Sequence, residues 1–547
     1  MKNIHEVFFL KTSYLVGIII VIIIVIGGLV LFLMPAPKAK DTIVIGTTDK
    51  VISLDPAEAY DYLSVNVIQN VMDGLLRYKP GTTELEPALA ESYTVSDDGL
   101  VYTFNIRQGV TFHDGSPLNA TVVKWSIDRA IAMNGDPAFL LSEVVNRTEV
   151  TGDYQIKIYL KYPFSAFPSI LAFTVAYPVT PTAYTTDEFM TDNIVGTGPF
   201  KLAEFIRDQK IVLERYDNYW DSNYLPKVKR VIIQFYSTST ALKNALDAGE
   251  IDIAYRTLTP EDINSYIANN GTNFIILEAP SPVIRYLVIN VNRVADVRVR
   301  QAIACAINRT KIVEEVFLGQ AENLYSMVPR GMWSHIDAFL EKWGETNITK
   351  AIELLQEAGY SETNKLEIDL WYTPTHYGPT EDEVAEAIKT SLEATGLITV
   401  NIQNAEWAQY RENWRNGVMD MFLLGWYPDY LDPDDYLFPF LHSSGAASLG
   451  SFYNDSTMDQ LLENARKTSD IDERTDLYEQ VQEKLAEDVP YIPLWQAKQY
   501  VVYKKGIVGV ILDATQIFRY YTIYWSESAS SLASLVTIGT YSETKIE

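Results

Sequence analysis

One stretch near the start of the chain departs from the mixed apolar and polar pattern of the rest. Residues 14–34 read YLVGIIIVIIIVIGGLVLFLM and carry no charge. These 21 residues at ~1.5 Å rise span about 30 Å, the hydrocarbon thickness of a bilayer. A cleavable signal peptide has a shorter apolar stretch, about 7–15 residues, and a small-residue cleavage site. Here PAPKAKD follows instead. The pattern predicts a short cytoplasmic tail (1–13), one uncleaved N-terminal transmembrane helix (14–34) and a Pro/Lys-rich linker (35–41). Lys2 and Lys11 precede the apolar segment and Lys38 and Lys40 follow it, so charge leaves its orientation open. The large domain after a short tail argues for an extracytoplasmic main body. So, weakly, do N-x-[ST] sequons at Asn119, Asn146, Asn270, Asn308, Asn347 and Asn454.

Beyond the linker, apolar residues recur with two periods. DTIVIG reads as a strand, and residues 60–79 have helical spacing. YTVSDDGLVYTFNI alternates on both sides of Asp98-Gly99, a hairpin signal, and ATVVKWSIDRAI then reads as a helix. Further on, VIRYLVINVN is a strand and 295–317 a helix. LEIDLWYTP, a helix over 380–395, ITVNIQNAE, a helix over 406–416 and MDMFLLGW then follow in β-α-β-α-β order. That order predicts a parallel sheet with flanking helices. Helices at 459–466 and 472–487 come next, and a Ser-rich tail follows Trp525.

Composition narrows the classes. A chain of 547 residues is long for one core and predicts two or three domains. A formal net charge of -27 argues against nucleic acid or anionic lipid as a partner. The single cysteine, Cys305, excludes an intrachain disulfide, a Cys-cluster metal site and a lipid anchor on a Cys after the apolar segment. Tyr is abundant, at 35 residues, and its flat apolar face with a hydroxyl suits wet binding clefts. The five His lack metal-ligand spacing, and no nucleophile elbow, Walker loop or GxGxxG follows a strand. GTGPF (196–200) imitates a phosphate loop but lacks the Lys-Ser/Thr that should follow. The chain therefore reads as a non-enzyme without metal or cofactor.

Five stretches together resemble the family 5 extracellular solute-binding proteins, the dipeptide/oligopeptide-binding class that serves ABC importers. They are 85–130 (LEPALAESYTVSDDGLVYTFNIRQGVTFHDGSPLNATVVKWSIDRA), 195–202 (VGTGPFKL), 295–317, 420–437 (DMFLLGWYPDYLDPDDYL) and 486–496 (AEDVPYIPLWQ). The resemblance runs from about 42 to 525. It implies an α/β, bilobed periplasmic-binding-protein-like fold of type II with an extra small β-rich domain. The first lobe would comprise 42–75, 195–278 and 493–525. The β-rich domain would be 76–194 and the second lobe 279–492, with a flexible tail at 526–547. Ligand would bind between lobes that close by a hinge. The partners would be ABC permease subunits in the membrane with a cytoplasmic ATPase, and the receptor would be a monomer.

The resemblance also implies a site. In peptide-binding members an acid in the W-x-x-D-x-x-D-P stretch pairs with the ligand's ammonium, and here that stretch carries Trp426, Asp429, Asp432 and Pro433. MDMFLLGW should deliver Asp429 to the carboxyl edge of a sheet, where open α/β folds bind ligands. Trp426 and Tyr427 are candidate stacking residues. Asp432 reads as a turn former, and Asp434 and Asp435 as turn and surface acids. Dipeptide-specific members carry an Arg in the loop that reads TPTHYGPTEDE (373–383) here, and no Arg is present. That favours an oligopeptide over a dipeptide. Trp371, Tyr372 and Tyr377 could instead stack on sugar rings, which keeps an oligosaccharide receptor as the alternative. An exported hydrolase is the remote one.

Overall fold

The computed structural model describes residues 41–526 apart from Thr375, Gly378, Pro379 and Ala514. The expected transmembrane segment at 14–34 and nearly all of the Ser-rich tail lie outside the described residues. Among the described residues no helix is long and apolar enough to cross a membrane.

An 11-stranded sheet runs through the molecule. On one side Leu366–Tyr372 pairs in parallel with Ile398–Asn404 and with Met421–Trp426. Helices Glu381–Glu393 and Trp407–Arg415 connect these strands, as the alternating pattern predicts. On the other side Thr42–Thr47 pairs in parallel with Arg230–Phe235 and Ile253–Tyr255. Two long antiparallel strands, Phe274–Ile289 and Tyr491–Lys504, join the two sides. Their register shifts between Pro280 and Ile284. Apolar side chains on either side of this irregularity belong to separate cores. Ala279, Val501 and Tyr503 pack with Ile43 and Ile45. Ile284, Tyr286 and Leu494 pack with Leu370 and Phe422. The irregularity therefore sits at the crossover between two lobes. A third core lies under a four-stranded antiparallel sheet whose hairpin turns at Asp98-Gly99, with Gly99 at φ +68°.

Two predicted helices are shorter than their periodicity. The one expected over 60–79 is Tyr62–Val71, and Leu76–Tyr78 is instead a strand paired with Leu85–Pro87. The chain passes Leu171 and Tyr177 so closely that a Cβ on Gly74 would lie 2.6 Å from Tyr177 and 2.8 Å from the Leu171 carbonyl. The one expected over 295–317 is Val297–Ala306, broken at Ile307. Asn308 then caps a new turn by accepting from the Lys311 N–H at 2.8 Å. Asn119 and Asn347 cap helices in the same way, so local structure alone accounts for three of the sequon asparagines.

Candidate ligand-binding site

A cavity of about 670 Å³ lies where the lobes and the β-rich domain meet. That is within the ~300–1,000 Å³ of small-ligand sites. Its wall combines Tyr60 and Arg256 from the first lobe, Phe173 from the β-rich domain, and Arg285, Tyr377 and Asp429 from the second.

The strand Met421–Trp426 passes buried through the second-lobe core and ends at this wall. Asp429 is buried and accepts a hydrogen bond from the Tyr60 hydroxyl at 2.5 Å, across the lobes. Its backbone N–H donates to Asp435 Oδ2 at 3.1 Å, and Trp426 Nε1 donates to the same oxygen at 2.9 Å. Burial pushes the Asp429 carboxyl up to about 7. It raises Asp435 too, and the nearby Asp429 charge adds to that. Among the described residues, no Lys or Arg forms a salt bridge with either acid.

The neighbouring acids are different. Asp434 and Asp435, expected at the surface, are at most 1% exposed. Asp434 takes a bidentate contact from Arg466, at 2.8 Å from Nε to Oδ1 and 2.8 Å from Nη2 to Oδ2, and also accepts from the Tyr430 hydroxyl. Asp432 caps the helix Pro433–Leu441 and accepts from Arg474 Nη2 at 2.7 Å. Residues 425–435 are thus wrapped by cations that come 32 and 42 positions later. That packing buries Asp434, while Asp435 is buried against Trp426 and the Asp429 backbone.

Of the expected aromatic contacts, Trp426, Tyr427 and Tyr377 line the cavity. Trp371 and Tyr372 do not; they pack against the second-lobe core. The Tyr377 face is already covered by the Arg285 guanidinium, 3.8 Å from its centroid.

Sequence reasoning missed the cations. Arg285 stands on the crossover strand and is buried, with Nη2 donating to Glu381 Oε2 at 2.5 Å. Its signal was a lone charge inside the apolar run VIRYLVINVN. Arg256 directly follows the strand Ile253–Tyr255. Its Nη2 donates to the Tyr427 hydroxyl at 3.1 Å, also across the lobes.

Among the described residues no cluster of His, Cys, Asp and Glu could hold a metal ion. His113 closes on the GTGPF loop, accepting from the Gly196 N–H at Nδ1 and bonding the Gly198 carbonyl through Nε2 at 3.0 Å. Burial lowers its pKa to about 4, so it is neutral there. The two loop glycines meet the end of the first helix: a Cβ on Gly196 would lie 2.2 Å from the Val71 carbonyl oxygen. Close packing, not a phosphate, explains them.

Comparison with known proteins agrees with this architecture. The profile described as bacterial extracellular solute-binding proteins, family 5 middle, matches residues 84–448. The chain is 31% identical to the glutathione-binding protein GsiB of Salmonella typhi over 489 residues, covering 87% of this chain and 92% of that one. It is 28% identical to the dipeptide-binding protein of Escherichia coli over 470 residues, covering 80% and 86%. The fold superposes with a TM-score of 0.76 and 27% identity on the ABC transporter-associated periplasmic binding protein DppA from Helicobacter pylori, solved with the peptide STSA, covering 89% and 98%. With a bilobed fold, an interlobe cavity and a profile match over most of its length, the chain belongs to the family 5 extracellular solute-binding proteins.

Proposed function

We propose that this protein is the extracytoplasmic receptor of an ABC importer, capturing peptides between its lobes and delivering them to membrane permease subunits driven by a cytoplasmic ATPase. The observation that carries the reading is Asp429, a buried acid that lines the cavity with a second buried acid, Asp435, behind it, and neither has a salt bridge to Lys or Arg among the described residues. A buried carboxylate without a cation is costly. A ligand's α-ammonium supplies the missing charge and forms a charge-assisted hydrogen bond. Tyr60 holds Asp429 in place, and Trp426 holds Asp435. Trp426 and Tyr427 offer apolar faces to the ligand chain.

Cavity size supports an oligopeptide over a dipeptide. The oligosaccharide reading loses support because Trp371 and Tyr372 pack against the second-lobe core away from the cavity wall and Tyr377 is covered by Arg285. The apolar stretch 14–34 serves as a single-pass anchor holding the receptor, a monomer, at the outer face of the membrane. Binding, not turnover, is the task.

Ligand that binds the native state raises its melting temperature. A mixed peptide library should do so, while cello- and manno-oligosaccharides should not. The reverse result overturns the peptide assignment. Asp429→Asn should weaken peptide binding at least about tenfold, or ~1.4 kcal/mol; unchanged affinity would remove Asp429 from the site.

A further inference from the structure

The wall of the main cavity carries three acids, Asp49, Asp61 and Asp429, and two arginines, Arg256 and Arg285. Both arginines are already matched. Arg285 Nη2 is 2.5 Å from Glu381 Oε2, and Arg256 Nη1 is 3.7 Å from Asp49 Oδ2. His376 also lines the wall, but burial lowers its pKa to about 4, so it adds no positive charge. Two acids are left over, Asp429 on the second lobe and Asp61 on the first. Among the described residues no Lys or Arg forms a salt bridge with either. The ammonium proposed for Asp429 accounts for one of them.

Asp61 caps the helix Tyr62–Val71, with Oδ1 accepting from the Ser64 N–H at 3.0 Å. Capping needs only an acceptor, and Ser, Thr or Asn would supply one as well. The negative charge is therefore surplus to the helix. Oδ2 is shielded from solvent and makes no hydrogen bond, and Asp49 Oδ2 is in the same condition. Burial raises the Asp61 carboxyl, and the nearby Asp49 charge pushes the same way. An acid short of a cation in a closed cleft is costly. Asp61 also directly follows Tyr60, whose hydroxyl holds Asp429. The second leftover acid thus stands beside the residue that clasps the first, and both face one cavity.

We propose that Asp61 makes the receptor selective for peptides that carry a second positive charge, a Lys- or Arg-type side chain close to the amino terminus. The inference rests on the peptide reading above and deepens it. Asp429 takes the α-ammonium. Asp61 takes the side-chain cation, because Arg256 is committed to its neighbour Asp49. A charge-assisted hydrogen bond then satisfies an oxygen that has no partner within the chain. A neutral side chain leaves Asp61 unmatched, and an acidic one sets like charges together, so the selectivity has both an attractive and a repulsive part.

The test uses the full-length chain, kept in detergent because of residues 14–34, and alanine tetrapeptides with Lys or its uncharged analogue norleucine at the first or the second position. In titration calorimetry the better Lys peptide should bind at least about tenfold more tightly than its norleucine counterpart. Asp61→Asn should bring the two within about twofold of each other, and Asp61→Ser, a second capping residue without charge, should do the same. N-acetylation should still weaken binding to both variants, since Asp429 is untouched. Equal affinity of the wild type for Lys and norleucine peptides overturns the inference and leaves the peptide reading standing. So does a tenfold preference that survives in both variants. Failure of every peptide to bind overturns the peptide reading and this inference with it.

Discussion

Gly425 lies directly opposite Arg285 on the neighbouring antiparallel strand, and a Cβ on it would fall 2.6 Å from Arg285 Cδ. The glycine is what lets the Arg285 stem cross the strand, reach Glu381 and cover Tyr377. Tyr377 Cε1 would be only 3.2 Å from the same Cβ, so the stem has little room to retreat. Gly425→Ala should therefore cost about 1–3 kcal/mol through overpacking, read by denaturant unfolding, and should weaken ligand binding as Arg285 shifts. Stability and affinity both equal to the wild type would show that the pair tolerates the methyl group.

Asp434 is fully buried, and Arg466 contacts both its oxygens while its guanidinium lies 3.1 Å from the Phe438 centroid. Arg466→Met leaves the carboxylate without its cation in an apolar setting. The expected loss is about 3–5 kcal/mol. Asp434→Asn combined with Arg466→Met should recover part of it, because no charge then remains buried. If the double variant were less stable than Arg466→Met alone, charge burial would not be the cause.

The acids of the site set a pH dependence whose sign follows from burial. Asp429 is raised to about 7 and Asp435 also upward, against about 3.9 for an unfolded Asp. Between those values the folded state retains protons that the unfolded state has lost. Their contribution to stability is complete below about pH 4 and is lost as pH rises through about 7. The melting temperature of the ligand-free protein should fall from pH 5 to pH 8, and Asp429→Asn should flatten that slope. Affinity for an ammonium ligand should move the other way, rising as Asp429 ionises. A melting curve indifferent to Asp429→Asn would sink the assignment.

Much of the fold was legible because it rests on local periodicity. The β-α-β-α-β order over 366–426 predicted a parallel sheet, and the strands pair that way. Alternation around Asp98-Gly99 predicted the hairpin. The departures occur where distant segments press on the chain. The first helix stops at Val71, since beyond it Gly74 must pass under Leu171 and Tyr177. No spacing within 60–79 carries that information.

For the site the division is similar. The sequence alone determined that Asp429 follows a buried strand, hence that it emerges at a sheet edge with its ring-bearing neighbours Trp426 and Tyr427. It could not separate four acids within seven residues of one another. Only tertiary structure did so, by bringing Arg474 to Asp432 and Arg466 to Asp434 and leaving Asp429 with Asp435 and a tyrosine. Likewise the loop at 373–383 has no Arg, but the cations of the cavity come from a crossover strand and a strand end in other parts of the chain. Charge compensation in a buried cleft depends on distance in space. Contacts across the lobes, 369 positions apart for Tyr60 and Asp429, leave no trace in local patterning.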